Sequence, residues 1–194
     1  RRDPLSPHFQ TYLQHAYAMN GRMERALELS EILYRRDGES TSAIEGMVTA
    51  FSHSDPGRVT PWLERLGGHT DLNSRLAALL PDRDAALEEL RQSEISSPAD
   101  LYSAPAWAAW LGDAELALAL MKQAPDLWSF WMPHNADVRR LPGFRDLVRE
   151  AGLVDYWREY GWRDFCRPQR ATDFVCQKSV ISALVSTARR QPCE

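Results

Sequence analysis

A helical hairpin near the start of the chain constrains the fold more than any other sequence feature. Residues 7–20 and 23–34 each carry apolar side chains at the spacing of one helix face. A break at Gly21 separates the two runs, and Gly38 ends the second. The pattern predicts two antiparallel helices that form the first unit of a helical stack.

The same layout returns along the chain. Further hairpins are predicted at residues 41–66, 72–90 and 99–122. The turns at Gly21 and Asp55 lie 34 residues apart, which matches the period of a tetratricopeptide repeat. Leu13, Tyr17, Gly21 and Ala26 of the first unit resemble the tetratricopeptide pattern.

Small residues recur at equivalent places in the first and fourth hairpins. Gly112 and Ala117 have the same spacing as Gly21 and Ala26, and we expect Gly21 and Ala26 to let the helices of their hairpin approach closely. Thr60 stands at this position in the second unit, so that unit is degenerate. We predict an all-α fold, an α-α superhelix of about four degenerate hairpins over residues 4–125.

The composition changes after Pro125, where aromatic residues crowd the chain. Short helices are predicted at residues 136–141, 143–150 and 154–160. We interpret residues 126–178 as a helical, aromatic-rich cap over the last apolar face of the stack, and an aromatic ligand cage is the alternative. Residues 179–194 are predicted to be a short helix or a flexible tail. The aromatic residues are Trp128, Phe130, Trp131, Phe144, Tyr156, Trp157, Tyr160, Trp162 and Phe165.

The cap also carries a family resemblance, in the runs Leu-Pro-Gly-Phe-Arg-Asp-Leu-Val from Leu141, Gly-Leu-Val-Asp-Tyr-Trp from Gly152 and Gly-Trp-Arg-Asp-Phe-Cys from Gly161. It resembles the closing segment of tetratricopeptide-containing bacterial regulators. In those proteins the helical array follows a winged-helix DNA-binding domain or a class III adenylate cyclase domain, often across a membrane-spanning helix. Their commonest form has Pro where this chain has Arg163.

The resemblance implies a non-catalytic sensory or regulatory module of a bacterial signalling protein. The chain begins without Met, so we expect it to be a fragment whose effector domain, and any membrane tether, would lie upstream of Arg1. A protein or peptide partner, or a small effector, would be its ligand, and a homodimer is left open. A general peptide-binding scaffold without an effector domain is the alternative function.

Three cysteines bear on the compartment: Cys166, Cys176 and Cys193. We predict a Cys166–Cys176 disulfide, and the similar family segment also carries a second Cys near this place. Two reduced thiols are the alternative, and the spacing argues against zinc. A disulfide would fit the periplasm, if the source is bacterial and the protein is membrane-tethered. The cytoplasm is the alternative.

Sequence motifs for catalysis are missing from the chain. It has no glycine-rich phosphate loop, nucleophile elbow or metalloprotease helix, so we expect no enzyme, no cofactor and no metal site. An enzyme hidden in the aromatic region is the remaining catalytic hypothesis. The net charge of −4 gives no support to nucleic-acid binding.

A concave groove lined by the first helix of each hairpin is the predicted binding surface. Several of its residues could instead be solvated or packed. Three of its histidines suggest a weaker hypothesis, a response to pH. The predicted groove residues are His8, Thr11, His15, Met19, Glu45, Thr49, His53, Tyr102 and Trp110.

Overall fold

The computed structural model describes residues 7–53, 55–66, 71–162, 166–170 and 173–176, with the side chains of residues 7, 8, 37, 40 and 170 left aside. The fold within these ranges is mostly helical, as predicted. Consecutive helices pack against each other in pairs, so each of the four predicted hairpins forms. The helices are α1 Pro7–Met19, α2 Met23–Asp37, α3 Ser40–Ala50, α4 Thr60–Leu66, α5 Leu72–Leu79, α6 Arg83–Gln92, α7 Pro98–Leu111 and α8 Ala114–Gln123.

Side-chain caps explain where the later helices begin. The carboxylate of Asp82 accepts hydrogen bonds from the first free backbone N–H groups of α6. Ser97 and Asp113 do the same for α7 and α8. Gly112 ends α7 in the left-handed conformation, with φ of 96°. A short polar residue or a glycine thus sets each of these helix boundaries.

Gly112 contributes through its backbone conformation rather than through close helix approach. A Cβ atom at Gly112 would meet nothing within 4 Å, so its positive φ is the property that matters there. Gly21 also has a positive φ, of 71°. The close approach occurs elsewhere, in the second hairpin, where a Cβ at Gly46 would overlap the indole ring of Trp62.

One continuous apolar core runs from α3 through α8 into the cap. Trp107 is fully buried there, and its indole Nε1 donates to Oδ1 of buried Asn73 over 2.9 Å. The first hairpin adds a smaller cluster, in which Ala18 and Ala26 pack against Met132 of the cap. The cap therefore contacts both the last hairpin and the first.

The cap departs from the purely helical prediction. Its described part has 3-10 turns at Ser129–Trp131, Pro133–Ala136 and Val138–Arg140, then α9 Pro142–Glu150, α10 Leu153–Tyr160, β1 Cys166–Arg170 and β2 Asp173–Cys176. The two strands pair antiparallel, with Cys166 opposite Cys176. The predicted helix at residues 136–141 is a 3-10 turn in its second half, and the strands were not predicted. Residues 179–194, including Cys193, lie outside the described residues.

Aromatic side chains of the cap pack on one another. Phe130 lies 5.7 Å from Phe144 between ring centroids, and both are fully buried. Trp157 contacts Trp131, and it meets Phe174 edge-on at 6.0 Å. These contacts between rings favour a packed core over the alternative of an aromatic cage.

Cys166 and Cys176 form a disulfide across the two strands, as predicted. Replacing both cysteines with Ala should lower the free energy of unfolding by about 2.5–3 kcal/mol, because the bond restricts the unfolded chain. Urea unfolding with and without dithiothreitol measures the loss. Equal midpoints for the oxidised and reduced wild-type protein would contradict the bond in solution.

Candidate ligand-binding pocket

A pocket of about 520 Å³ opens where α1, α3 and α7 meet the segment after α8. The first helices of three hairpins form most of its wall, and the start of the cap closes one side. Its lining residues are Thr11, Tyr12, His15, Leu33, Glu39, Thr41, Ser42, Glu45, Tyr102, Asp126 and Trp128.

Three polar side chains from three helices meet in the pocket wall. The hydroxyl of Tyr102 donates to Oε2 of Glu45 over 2.7 Å. Nε2 of His15 lies 3.1 Å from the same oxygen and 3.3 Å from the tyrosine oxygen. Burial raises the pKa of Tyr102 well above its ordinary value, and the Glu45 carboxylate raises it further, so the tyrosine keeps its proton.

This cluster leaves two polar atoms unused. A carboxylate can only accept, so His15 carries its hydrogen on Nε2, and its buried Nδ1 has no hydrogen-bond partner in the described part of the chain. Oε1 of Glu45 likewise accepts no hydrogen bond from a described residue. The wall therefore has hydrogen-bonding capacity left for a ligand.

The charge of the pocket is negative. Glu39, Glu45 and Asp126 contribute carboxylates, and none of the described lining residues is Lys or Arg. Asp126 is held in place because its Oδ1 accepts the backbone N–H of Trp128 over 3.2 Å. An acidic concave surface attracts cations and repels anionic ligands.

Two aromatic rings form the outer wall. Tyr12 and Trp128 stack with centroids 5.2 Å apart, and they are 46% and 42% exposed. Trp128 also lies 6.5 Å from the His15 ring. Aromatic faces next to carboxylates are the surroundings in which organic cations bind in proteins.

A second pocket of about 430 Å³ adjoins the first. The two share Thr41, Glu45 and Tyr102, which form the ridge between them. The far side of the second pocket is mainly apolar, and it is formed by Ile44, Ser97, Pro98 and Ala99.

Four of the predicted groove residues come together in the first pocket. Thr11 and His15 come from α1, Glu45 from α3 and Tyr102 from α7. The prediction missed Glu39, Tyr12, Asp126 and Trp128, which also line the pocket. Tyr12 adjoins Thr11 in the sequence. Asp126 and Trp128 belong to the cap, where no repeat positions are available to predict which residues face the groove.

The structure places four predicted groove residues elsewhere. Thr49 is fully buried and accepts a hydrogen bond from Gln14 over 2.6 Å, so it is not a groove residue. His53 lies after α3, 3.1 Å from Glu24. Trp110 stacks on Phe51, and Met19 packs against the small cluster of the first hairpin. The side chain of His8 lies outside the described residues.

Another histidine, missed by the sequence analysis, lies in the cap. Nδ1 of His134 is 2.8 Å from the hydroxyl of Ser52, and its Nε2 is buried without a partner among the described residues. Burial lowers the pKa of His134 to about 3, and the charge of Arg139 and the proximity of His15 add to the effect. His134 is therefore neutral across the physiological range.

Three further observations concern metal binding, membrane insertion and similarity to known proteins. No cluster of three or more His, Cys, Asp or Glu side chains suited to a metal ion occurs among the described residues. No helix in the described ranges combines the length and apolar character needed to cross a bilayer. Comparison with protein-family models, curated proteins and solved structures found no match to this chain.

Proposed function

We propose that this chain is a non-catalytic sensory module of a bacterial signalling protein, built as a degenerate tetratricopeptide-like α-α superhelix, that binds an organic cation. The cation would be a basic side chain of a protein partner or a small effector. The observation that carries the proposal is the pocket, with three carboxylates and two exposed aromatic rings.

The chemistry of the pocket suits a ligand with an ammonium or guanidinium group. Glu45 offers its unused Oε1, and a charge-assisted hydrogen bond to it contributes about 1.5–3 kcal/mol. A ring face of Tyr12 or Trp128 that the stack leaves open adds about 0.5–1 kcal/mol for a cation at an exposed site. These terms favour a weak, reversible ligand, as a sensor requires.

The His15–Glu45–Tyr102 cluster supports binding better than catalysis. Each of the three side chains is hydrogen-bonded to another, and the raised pKa of Tyr102 keeps its hydroxyl protonated and a poor nucleophile. The module would lie outside the cytoplasm, and the disulfide supports an oxidising compartment such as the periplasm.

Removing one carboxylate should weaken cation binding. N-acetyl-lysine methylamide should shift the NMR resonances of the pocket residues, and Glu45→Gln should raise its Kd by about tenfold because one charge-assisted contact is lost. Glu115→Gln, an exposed position on α8, is the matched control. N-acetyl-norleucine methylamide tests the need for charge. Equal binding by the lysine and norleucine probes, or an unchanged Kd in Glu45→Gln, would contradict the proposal.

A further inference from the structure

We infer that the occupant of the pocket is an extended peptide segment of a partner protein, with a Lys or Arg in the acidic pocket and an apolar side chain two residues away in the adjoining one. This inference rests on the proposed function. The acidic pocket alone indicates a cation, and the inference adds that this cation belongs to an extended peptide.

The two pockets form one groove because they share a ridge. Thr41, Glu45 and Tyr102 line both of them. A ligand that binds Oε1 of Glu45 from the acidic side therefore stands at the boundary of the apolar side. A small cation would fill only half of this surface.

The adjoining pocket has the character of a side-chain site. Ile44, Pro98 and Ala99 give it an apolar wall, and Tyr102 closes it on the side of the ridge. Burying an aliphatic or aromatic side chain there would remove apolar surface from water on both partners. The pocket contains one carboxylate, Glu45, at the ridge, so a neutral side chain loses little by entering it.

Two adjoining pockets suit alternate side chains of an extended chain. Thr41 and Glu45, one turn apart on α3, line both pockets, so one ligand side chain can lie on each side of the ridge that they form. Residues i and i+2 of an extended strand lie about 6.6 Å apart and point to the same side. A Lys-x-Leu or Leu-x-Lys segment can therefore place both side chains in the groove at once.

His15 gives an independent reason to expect a polar ligand here. It is 5% exposed, it lines the acidic pocket, and its Nδ1 has no partner in the described ranges. A buried polar nitrogen without a hydrogen bond is costly, so a polar group of the bound peptide that reached Nδ1 would stabilise the complex.

Capped hexapeptides test the inference with the whole chain. The peptides carry Lys-x-Leu, Leu-x-Lys, Lys-x-Ser or Leu-x-Leu in an otherwise Ser/Gly background, and Kd is measured by calorimetry or NMR. One of the two Lys/Leu orders should bind at least tenfold more tightly than Lys-x-Ser, and Leu-x-Leu should bind more weakly than that order. N-acetyl-lysine methylamide should resemble Lys-x-Ser.

A variant that fills the apolar pocket with a side chain of the protein itself tests the role of that pocket. Ala99→Leu should occupy the apolar pocket and reduce the advantage of the Leu-containing peptide to about twofold, with Lys-x-Ser binding unchanged. Ala119→Leu, at an exposed position of α8, is the control. Circular dichroism establishes that both variants are folded.

Each outcome separates the inference from the function on which it rests. If Lys-x-Ser and the lysine probe bind as tightly as both Lys/Leu peptides, the apolar pocket has no role and the inference fails, although the cation site stands. If free lysine binds as tightly as the best peptide, the ligand is a small effector and the inference fails. If no cationic probe binds, the proposed function fails as well.

Discussion

Acidification from pH 8 to pH 5 should lower the free energy of unfolding by about 2 kcal/mol through His134 alone. Its folded pKa is about 3, well below the ordinary histidine value of 6.5. The unfolded chain therefore takes up a proton near pH 6.5 while the folded protein stays neutral at this site. The contribution of His134 to the free energy of unfolding is fully present above pH 6.5. It falls with a slope of up to about 1.4 kcal/mol per pH unit towards pH 3.

His134→Asn isolates this contribution, because an amide oxygen can still accept from Ser52 and does not titrate. Urea unfolding at several pH values should give a curve for the variant that is flatter than wild type by about 2 kcal/mol between pH 8 and pH 5. Gln123→Ala, an exposed substitution that removes no titratable group, is the control and should keep the wild-type slope. Parallel curves for wild type and His134→Asn would contradict the prediction.

Three carboxylates with lowered pKa values titrate below the pH 8 to pH 5 range used for His134. Burial raises the pKa of Glu31, but hydrogen bonds from Arg65 and Arg35 outweigh it, so the pKa is lowered. The backbone N–H of Leu116 lowers the pKa of Asp113, and the backbone N–H of Phe174 lowers that of Asp173. Burial opposes both of these shifts as well. Depressed carboxylate pKa values add stability that is lost only as the pH falls below the ordinary carboxyl range. The loss occurs at lower pH, and it is common to both proteins.

Gly46→Ala should destabilise the protein by about 1–3 kcal/mol, although Ala is the better helix former. The new Cβ would overlap the indole of Trp62, which is 4% exposed. The ring cannot swing aside freely, because it packs edge-on against Tyr34 and beneath the guanidinium of Arg65, 4.3 Å away. Thermal or urea unfolding measures the loss.

Gly143→Ala is the matched control, since Gly143 is also helical. Its added Cβ would meet Cδ2 of Leu118 at 3.1 Å, at the end of a flexible side chain. We expect a change within about 1 kcal/mol there. Trp62→Leu should partly restore Gly46→Ala by making room. If Gly46→Ala and Gly143→Ala had equal stabilities, α3 and α4 would not approach as closely as described.

The sequence predicts the helices of this fold well and the cap less well. Apolar periodicity and breaks such as Gly112-Asp113 place the hairpins, because both act within a few residues. The strands at Cys166–Arg170 and Asp173–Cys176 were missed, since they are short and depend on a disulfide and on burial of Phe174. Gly46 was overlooked because its contact with Trp62 depends on helix packing.

The site is only partly encoded in the repeat register. A single helix face brings Thr11 and His15 into the pocket with Glu45. The same register failed at Thr49, which α1 covers through Gln14, and at His53, which lies beyond the end of α3 at Ala50. Helical spacing shows which residues share one face of a helix. It does not show whether another helix packs on that face and covers it.

The contacts of the cap with the first hairpin have a consequence for how the protein loses its structure. In an open repeat array the terminal unit can fray alone, because it touches only its neighbour. Here Tyr12 stacks on Trp128, and Met132 packs on Ala18 and Ala26, so the first hairpin also contacts the segment that follows α8. This second set of contacts should make the first hairpin unfold together with the start of the cap instead of fraying alone. A ligand bound beside Trp128 would then stabilise both regions together.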